Sequence, residues 1–205
     1  MLSSLTAPGH APTSTSIGAV LFDLAGEKQE TAYFVRMTLA STGLREEGHT
    51  GHFFAWQWGA LGAARGGPEA AQSFVRNTRW FTELERRADG SCWYQPQLNF
   101  PGKYLGWSTS GQRLMQHCLP RKALHITGKG GSCIAPFSGD ELKAAVDAAT
   151  FVPQGLSVKE LLAALGSWSL LVRQSAAVEL GKRENDVVGD LIAMLDSPNR
   201  YARYG

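Results

Sequence analysis

The chain has 205 residues, 43% of them hydrophobic and 19% charged, which excludes a disordered chain and allows one full domain or two small modules. Twenty Lys and Arg stand against eighteen Asp and Glu, so no general polyanion-binding field follows and nucleic acid is not an expected partner. No apolar run approaches the ~20 residues of a membrane span, and three cysteines without a Cys-x-x-Cys pair exclude a disulfide framework and a zinc ribbon.

Residues 1–17 read as a flexible leader, rich in Ser, Thr, Pro, Ala and Gly without a period, and the start lacks the basic and apolar regions of a secretory signal. Residues 18–25 (Gly-Ala-Val-Leu-Phe-Asp-Leu-Ala) suit either a short strand or a buried turn of helix, and periodicity does not choose. Apolar spacing from Thr31 to Leu44 predicts a helix, with Gly43 at its end. Between Gly48 and Leu61 bulky apolar residues fall on every side, the pattern of a helix packed all round.

Gly66-Gly67-Pro68-Glu69 is a helix start, because Pro loses no useful N–H in the first turn and Glu suits the positive helix end. Ala70, Ala71, Phe74, Thr78, Phe81 and Leu84 follow helical spacing. Arg76, Arg79, Glu83 and Arg87 turn away, with Glu83 and Arg87 an i,i+4 pair, and Asp89-Gly90 stops the helix. Residues 91–106 read as an aromatic-rich loop holding a short extended pair. Helical spacing returns over 107–119 and ends before Pro120. A β-like run at 123–127 ends in Gly128-Lys129-Gly130-Gly131, and 140–149 reads as a surface helix.

The last third carries the clearest pattern. Ser157-Val158-Lys159-Glu160 is a capping box, in which hydroxyl and carboxylate each satisfy a backbone N–H of the other residue. Leu161-Leu162-Ala163-Ala164-Leu165 follows, then a turn at 166–169 and a second helix from about Leu170 to Gly181. A shift of thirty residues lays this Leu-rich segment on Leu191-Ile192-Ala193-Met194-Leu195, Val158 on Val188, Ser167 on Ser197 and Arg173 on Arg203. Self-similarity at a fixed period in paired short helices is the signature of an α-solenoid. The second copy stops at Gly205 before its second helix, so 184–205 is expected to be the least stable part, covered either by a partner or by missing downstream sequence, and the chain reads as a fragment of a larger protein or a remnant that does not close a ring.

With its Leu-Leu-x-x-Leu helix, polar turn and Val172-Arg173-x-x-Ala176-Ala177, the region 156–205 resembles HEAT repeats, the second one truncated. That resemblance implies a stack of helical hairpins whose exposed surface binds a protein partner. The region 31–128, inside a toroid-like helical domain expected over 18–150, is similar, through alternating apolar and amphipathic helices and Asp89-Gly90-Ser91-Cys92-Trp93-Tyr94, to the α/α toroid of terpene cyclases and protein prenyltransferases. Gly48–Gly67, the Asp89–Tyr94 turn and Tyr104-Leu105-Gly106-Trp107 together resemble an uncharacterised bacterial family in which such a toroid precedes HEAT repeats; it brings no established activity.

Candidate chemistry is sparse. The protonating Asp-x-Asp-Asp of terpene cyclases is absent, and Asp89-Gly-Ser-Cys92 does not match the zinc pair of prenyltransferases. No metal or cofactor is expected, and a zinc site would need Cys92, Cys118 and His117 to converge. His49 and His52, three apart near a helix start, are the candidate catalytic pair of an alternative reading, a polysaccharide lyase-like or transferase-like enzyme of the toroid class. Against it stands the simpler role of satisfying backbone groups at a hairpin entry. Trp58, Trp93 and Tyr94 are candidates for binding a carbohydrate or lipid-like ligand, since aromatic faces stack on such molecules, whereas Trp80 is expected in the core. The Gly128–Gly131 run lacks the phosphate-loop order and reads as a loop. Arg173 and Arg203, which recur at the repeat period, read as ties to a turn carbonyl or carboxylate between stacked repeats in preference to nucleic-acid contacts. The expectation is an all-α protein, a partial toroid followed by a solenoid, that acts as a non-catalytic interaction scaffold.

Overall fold

A computed structural model describes residues 11–44, 53–94, 106–121, 131–183 and 186–204. The protein is all-α: the described residues form nine α-helices, short 3-10 turns and no strand beyond isolated bridges. They divide into two units, Met1–Val146 and Asp147–Gly205, with the boundary in the last turn of the sixth helix.

Helix α1 (Ala11–Ala25) begins inside the stretch that composition assigns to a leader and settles the strand-or-helix ambiguity at 18–25. Its small residues serve close packing. Thr15, Ser16, Ala19 and Val20 are buried, and a Cβ on Gly18 would stand 2.9 Å from the Phe34 ring. A Cβ on Gly62 would meet the Ser16 carbonyl oxygen at 2.9 Å, so glycine permits the approach of α1 to α3 (Phe53–Ala64). Helix α2 (Lys28–Ala40) follows the Gly26 turn and stacks Phe34 on Phe22 with centroids 5.3 Å apart.

Helix α3 buries Ala55, Trp56, Gly59, Ala60, Leu61, Gly62 and Ala63, on more than one side, as its sequence implies. Trp56 lies stacked against Phe81 at 4.8 Å. Helix α4 (Pro68–Glu85) starts at the expected proline; Gly67 before it has φ +94°, where a side chain would be strained and would also meet Pro136. The end of α4 departs from expectation. Glu85 is fully buried while Leu84 is 65% exposed, and Trp80, expected in the core, is half exposed. The stripe Phe74, Thr78, Phe81 continues to Glu85 at spacings of four, three and four, so the helix geometry favours the glutamate over its apolar neighbour. Glu83 pairs with Arg79 at 3.4 Å and Arg86 at 3.8 Å instead of with Arg87, which lies beyond the helix.

The extended pair expected after Gly90 is a pair of bridges, Arg86 with Cys92 and Trp93 with Ser108. It leads into α5 (Ser110–Cys118) and a 3-10 turn (Leu119–Arg121). The β-like run at 123–127 lies outside the described residues. Helix α6 (Gly139–Ala149) is a surface helix that buries only Ala145.

The second unit opens on α7 (Val158–Leu165), whose Ser157–Glu160 capping box is fully formed. A turn leads to α8 (Leu170–Leu180). Leu161, Leu165, Ala176 and Leu180 make its core, with Phe151, Leu156, Leu162 and Met194 against it. Helix α9 (Val188–Leu195) begins thirty residues after α7, and the hydrogen bonds repeat with it. Arg173 Nη1 donates to the Ser167 carbonyl and Arg203 Nη1 to that of Ser197, each at 2.7 Å. Asn199 Nδ2 donates to the Gly166 carbonyl at 2.8 Å, and Arg173 lies 5.3 Å from the Tyr201 ring centre, so the second turn sits on the first.

Candidate functional site

The candidate residues named from sequence do not share one environment. His49 and His52 lie outside the described residues. Trp58 is half-buried on α3. Trp93 sits in the bridged turn, donating from Nε1 to the Ser91 hydroxyl at 2.8 Å, with the Arg87 guanidinium 4.4 Å from its ring centre. Tyr94 is buried at 3% exposure, which leaves its ring little surface to offer a ligand. Cys92 beside them is also buried, and burial together with the Glu85 charge pushes its thiol up, away from a reactive thiolate. Among the described residues no three His, Cys, Asp or Glu side chains gather as a metal would require.

The strongest chemistry in the first unit is a buried ion pair that sequence reading misses. Glu85 Oε2 accepts from Arg113 Nε at 2.6 Å and from Thr109 Oγ1 at 3.2 Å, with Arg113 Nη2 also against it. Arg113 Nη1 donates to Gln116 Oε1 at 2.9 Å, and Gln116 Nε2 donates to the Trp56 carbonyl at 2.7 Å. The guanidinium lies 5.1 Å from the Trp56 ring centre, so one network ties α3, α4 and α5. Burial raises the Glu85 carboxyl above its ordinary pKa, against the Arg113 charge and its hydrogen bonds. Both partners are almost inaccessible, at 0% and 6% side-chain exposure, so the pair is placed to hold helices rather than to meet a substrate. A charge on the core stripe of α4 is the signal that points to it.

A second buried carboxylate, Asp23 on α1, binds the loop at 132–133. Its Oδ1 accepts from the Ser132 hydroxyl at 2.7 Å and the Cys133 N–H at 2.6 Å, and Oδ2 meets Arg65 Nη1 at 3.1 Å. Burial alone would push this carboxyl up, but the Cys133 N–H, Ser132 hydroxyl and Arg65 charge outweigh it and hold the pKa below the ordinary range. A depressed folded pKa adds stability above the unfolded value that is lost as pH falls through the folded one. Asp23→Asn is therefore expected to cost most at pH 6, with the gap to wild type narrowing below about pH 4. Urea midpoints at pH 6 and pH 3 check this; an equal gap at both would mean that the charge contributes nothing.

Among the described residues, α9 carries a run of exposed apolar side chains. Val188, Ile192 and Leu195 are exposed by 61%, 59% and 62%, Leu191 by 39%, and nearby Tyr204 by 77%. Residues 188, 191, 192 and 195 form one helical stripe, while Met194 packs inward on the α7–α8 core. A contiguous apolar stripe of this kind marks an interaction surface more often than isolated apolar side chains do. The thirty-residue shift makes these residues legible as a repeat, but exposure depends on what lies against them.

A family model described as "Domain of unknown function (DUF6288)" matches residues 13–128, which takes in the buried ion pair and leaves α7–α9 outside. No curated protein and no solved structure matches the chain.

Proposed function

We propose, for a chain that belongs to the DUF6288 family, a non-catalytic role as an interaction scaffold, with a HEAT-like helical-repeat surface in the second unit that binds a protein partner. The observation that carries this reading is the open stripe of α9, four aliphatic residues at helical spacing on a helix that buries no residue fully. Two observations support it. The thirty-residue repetition of helix, turn and arginine tie is what the reading as a stacked solenoid expects, since solenoid repeats bury their faces only against neighbours. In the first unit, the buried charges Asp23, Glu85 and Arg113 are engaged in bonds that join helices and loops. The same reading allows a toroid-like first unit and a carbohydrate or lipid-like ligand at its aromatic turn, where such a ligand would meet the rings of Trp93 and the 44%-exposed Trp107; Trp58 lies apart on α3. No helix among the described residues is long and apolar enough to cross a membrane.

Benzoylphenylalanine at position 192, in the chain expressed in its source cells, is expected to crosslink on irradiation to one protein species. The same probe at position 159, an exposed polar site on α7, is expected to give none. Equal yields from the two positions would remove the reading.

A further inference from the structure

We infer that the outer ridge of α4, in the first unit, docks on the surface of an anionic lipid membrane, which it touches without crossing. The inference goes beyond the scaffold reading, since it concerns a different unit and a different kind of partner. It starts from where exposed charge is concentrated. Between positions 76 and 87 the exposed charged residues are Arg76, Arg79, Arg86 and Arg87 against Glu83 alone, because Glu85 is turned inward onto Arg113. The chain as a whole is nearly balanced in charge, so this local excess of arginine is what an anionic surface would meet. Glu83 is shared between Arg79 at 3.4 Å and Arg86 at 3.8 Å, and both arginine side chains are largely exposed. Pairs as open as these are weak and screened, so lipid phosphates can take the place of the carboxylate at little cost. Asp89, just beyond the helix, is engaged by the Ser91 N–H and hydroxyl.

Apolar side chains stand among these charges. Trp80 and Leu84, both exposed, lie one turn apart on the row that Arg76 begins. The Trp80 ring is braced edge-on against Phe81, with centroids 5.4 Å apart, and Phe81 is itself stacked on buried Trp56. An indole favours the headgroup boundary, a leucine gains by entering the acyl region, and arginines beside them reach the phosphates. A specific protein interface takes about 800 Å² from each partner around a packed apolar core, which two side chains on one ridge do not supply. A nucleic acid would engage the arginines and the indole but offers Leu84 no hydrocarbon to enter. A bilayer requires no complementary shape and uses all three residue types.

The test is flotation of the intact chain with phosphatidylcholine vesicles containing about 30% phosphatidylserine, set against vesicles of phosphatidylcholine alone. Binding is expected to the anionic vesicles and is expected to weaken as salt rises. Arg79→Gln combined with Arg86→Gln is expected to weaken it at least about tenfold, since each arginine near the surface contributes about fivefold. Lipids brominated on their acyl chains are expected to quench the tryptophan fluorescence of the bound chain. Trp80→Phe is expected to remove most of that quenching, and Trp107→Phe, at the exposed aromatic turn, to leave it in place. Circular dichroism of every variant is expected to match wild type, because all four positions are exposed. No binding to the anionic vesicles, equal binding to the neutral ones, or wild-type binding by the double arginine variant would overturn the inference. Quenching lost with Trp107→Phe and kept with Trp80→Phe would also overturn it, by moving the contact to the aromatic turn. Single-stranded RNA that displaces the chain at a lower phosphate concentration than the vesicles present would make nucleic acid the partner and overturn it as well.

Discussion

Arg113→Ala is expected to destabilise the first unit by about 3–5 kcal/mol, because it leaves the fully buried Glu85 carboxylate without its counter-ion. The loss extends past the pair. Arg113 also holds Gln116, and Gln116 in turn holds the backbone at Trp56, so three helices lose a common tie. Replacing both partners, Glu85→Leu with Arg113→Met, removes the charges together and is expected to recover most of the stability, since a well-packed apolar pair often equals a buried ionic one. Urea unfolding followed by tryptophan fluorescence reads both effects, as Trp56 sits against the guanidinium. A cost below about 1 kcal/mol for the single variant would show that Glu85 is reached by water or proton and needs no partner.

The second large effect is a contrast between two identical substitutions at equivalent positions. Leu165→Ala, in the core of the second unit at 2% exposure, is expected to cost about 2–5 kcal/mol through lost burial and the cavity left behind. Leu195→Ala, thirty residues on and 62% exposed, is expected to change stability by no more than about 0.5 kcal/mol. Denaturant unfolding of the two variants in the isolated chain checks the pair. Similar costs would mean that α9 is covered in solution, and the open face would no longer support an interaction surface.

Much of the local architecture is legible in the residues because its causes are local. Pro68 starts α4, Ser157 and Glu160 form a reciprocal cap, and the turn between α7 and α8 falls at the expected residues. Each depends on backbone groups within four residues. The period anticipates that Arg173 and Arg203 act alike, but each bonds a carbonyl six residues back in its own turn and not one in a neighbouring repeat. Less of the candidate site is legible. The aromatic turn forms as expected, yet Tyr94 is buried and Trp80 faces out, because a ring's exposure depends on helices that meet it from elsewhere in the chain.

The amino-acid sequence by itself determined the all-α class, most helix starts and the thirty-residue repeat, since caps and spacing act through hydrogen bonds and side-chain directions one turn apart. Tertiary structure alone decided which charges go inside and which repeat face stays open. Glu85 finds its partner 28 positions away, and Asp23 is satisfied by a loop 110 positions on. A carboxylate on a helix stripe is costly to bury until such a partner arrives, and nothing in its own segment supplies one. The same holds for the two copies of the repeat. Leu161 and Leu191 belong to helices with the same apolar spacing, but α8 lies over one and no described element covers the other as fully, and burial is a property of the neighbour.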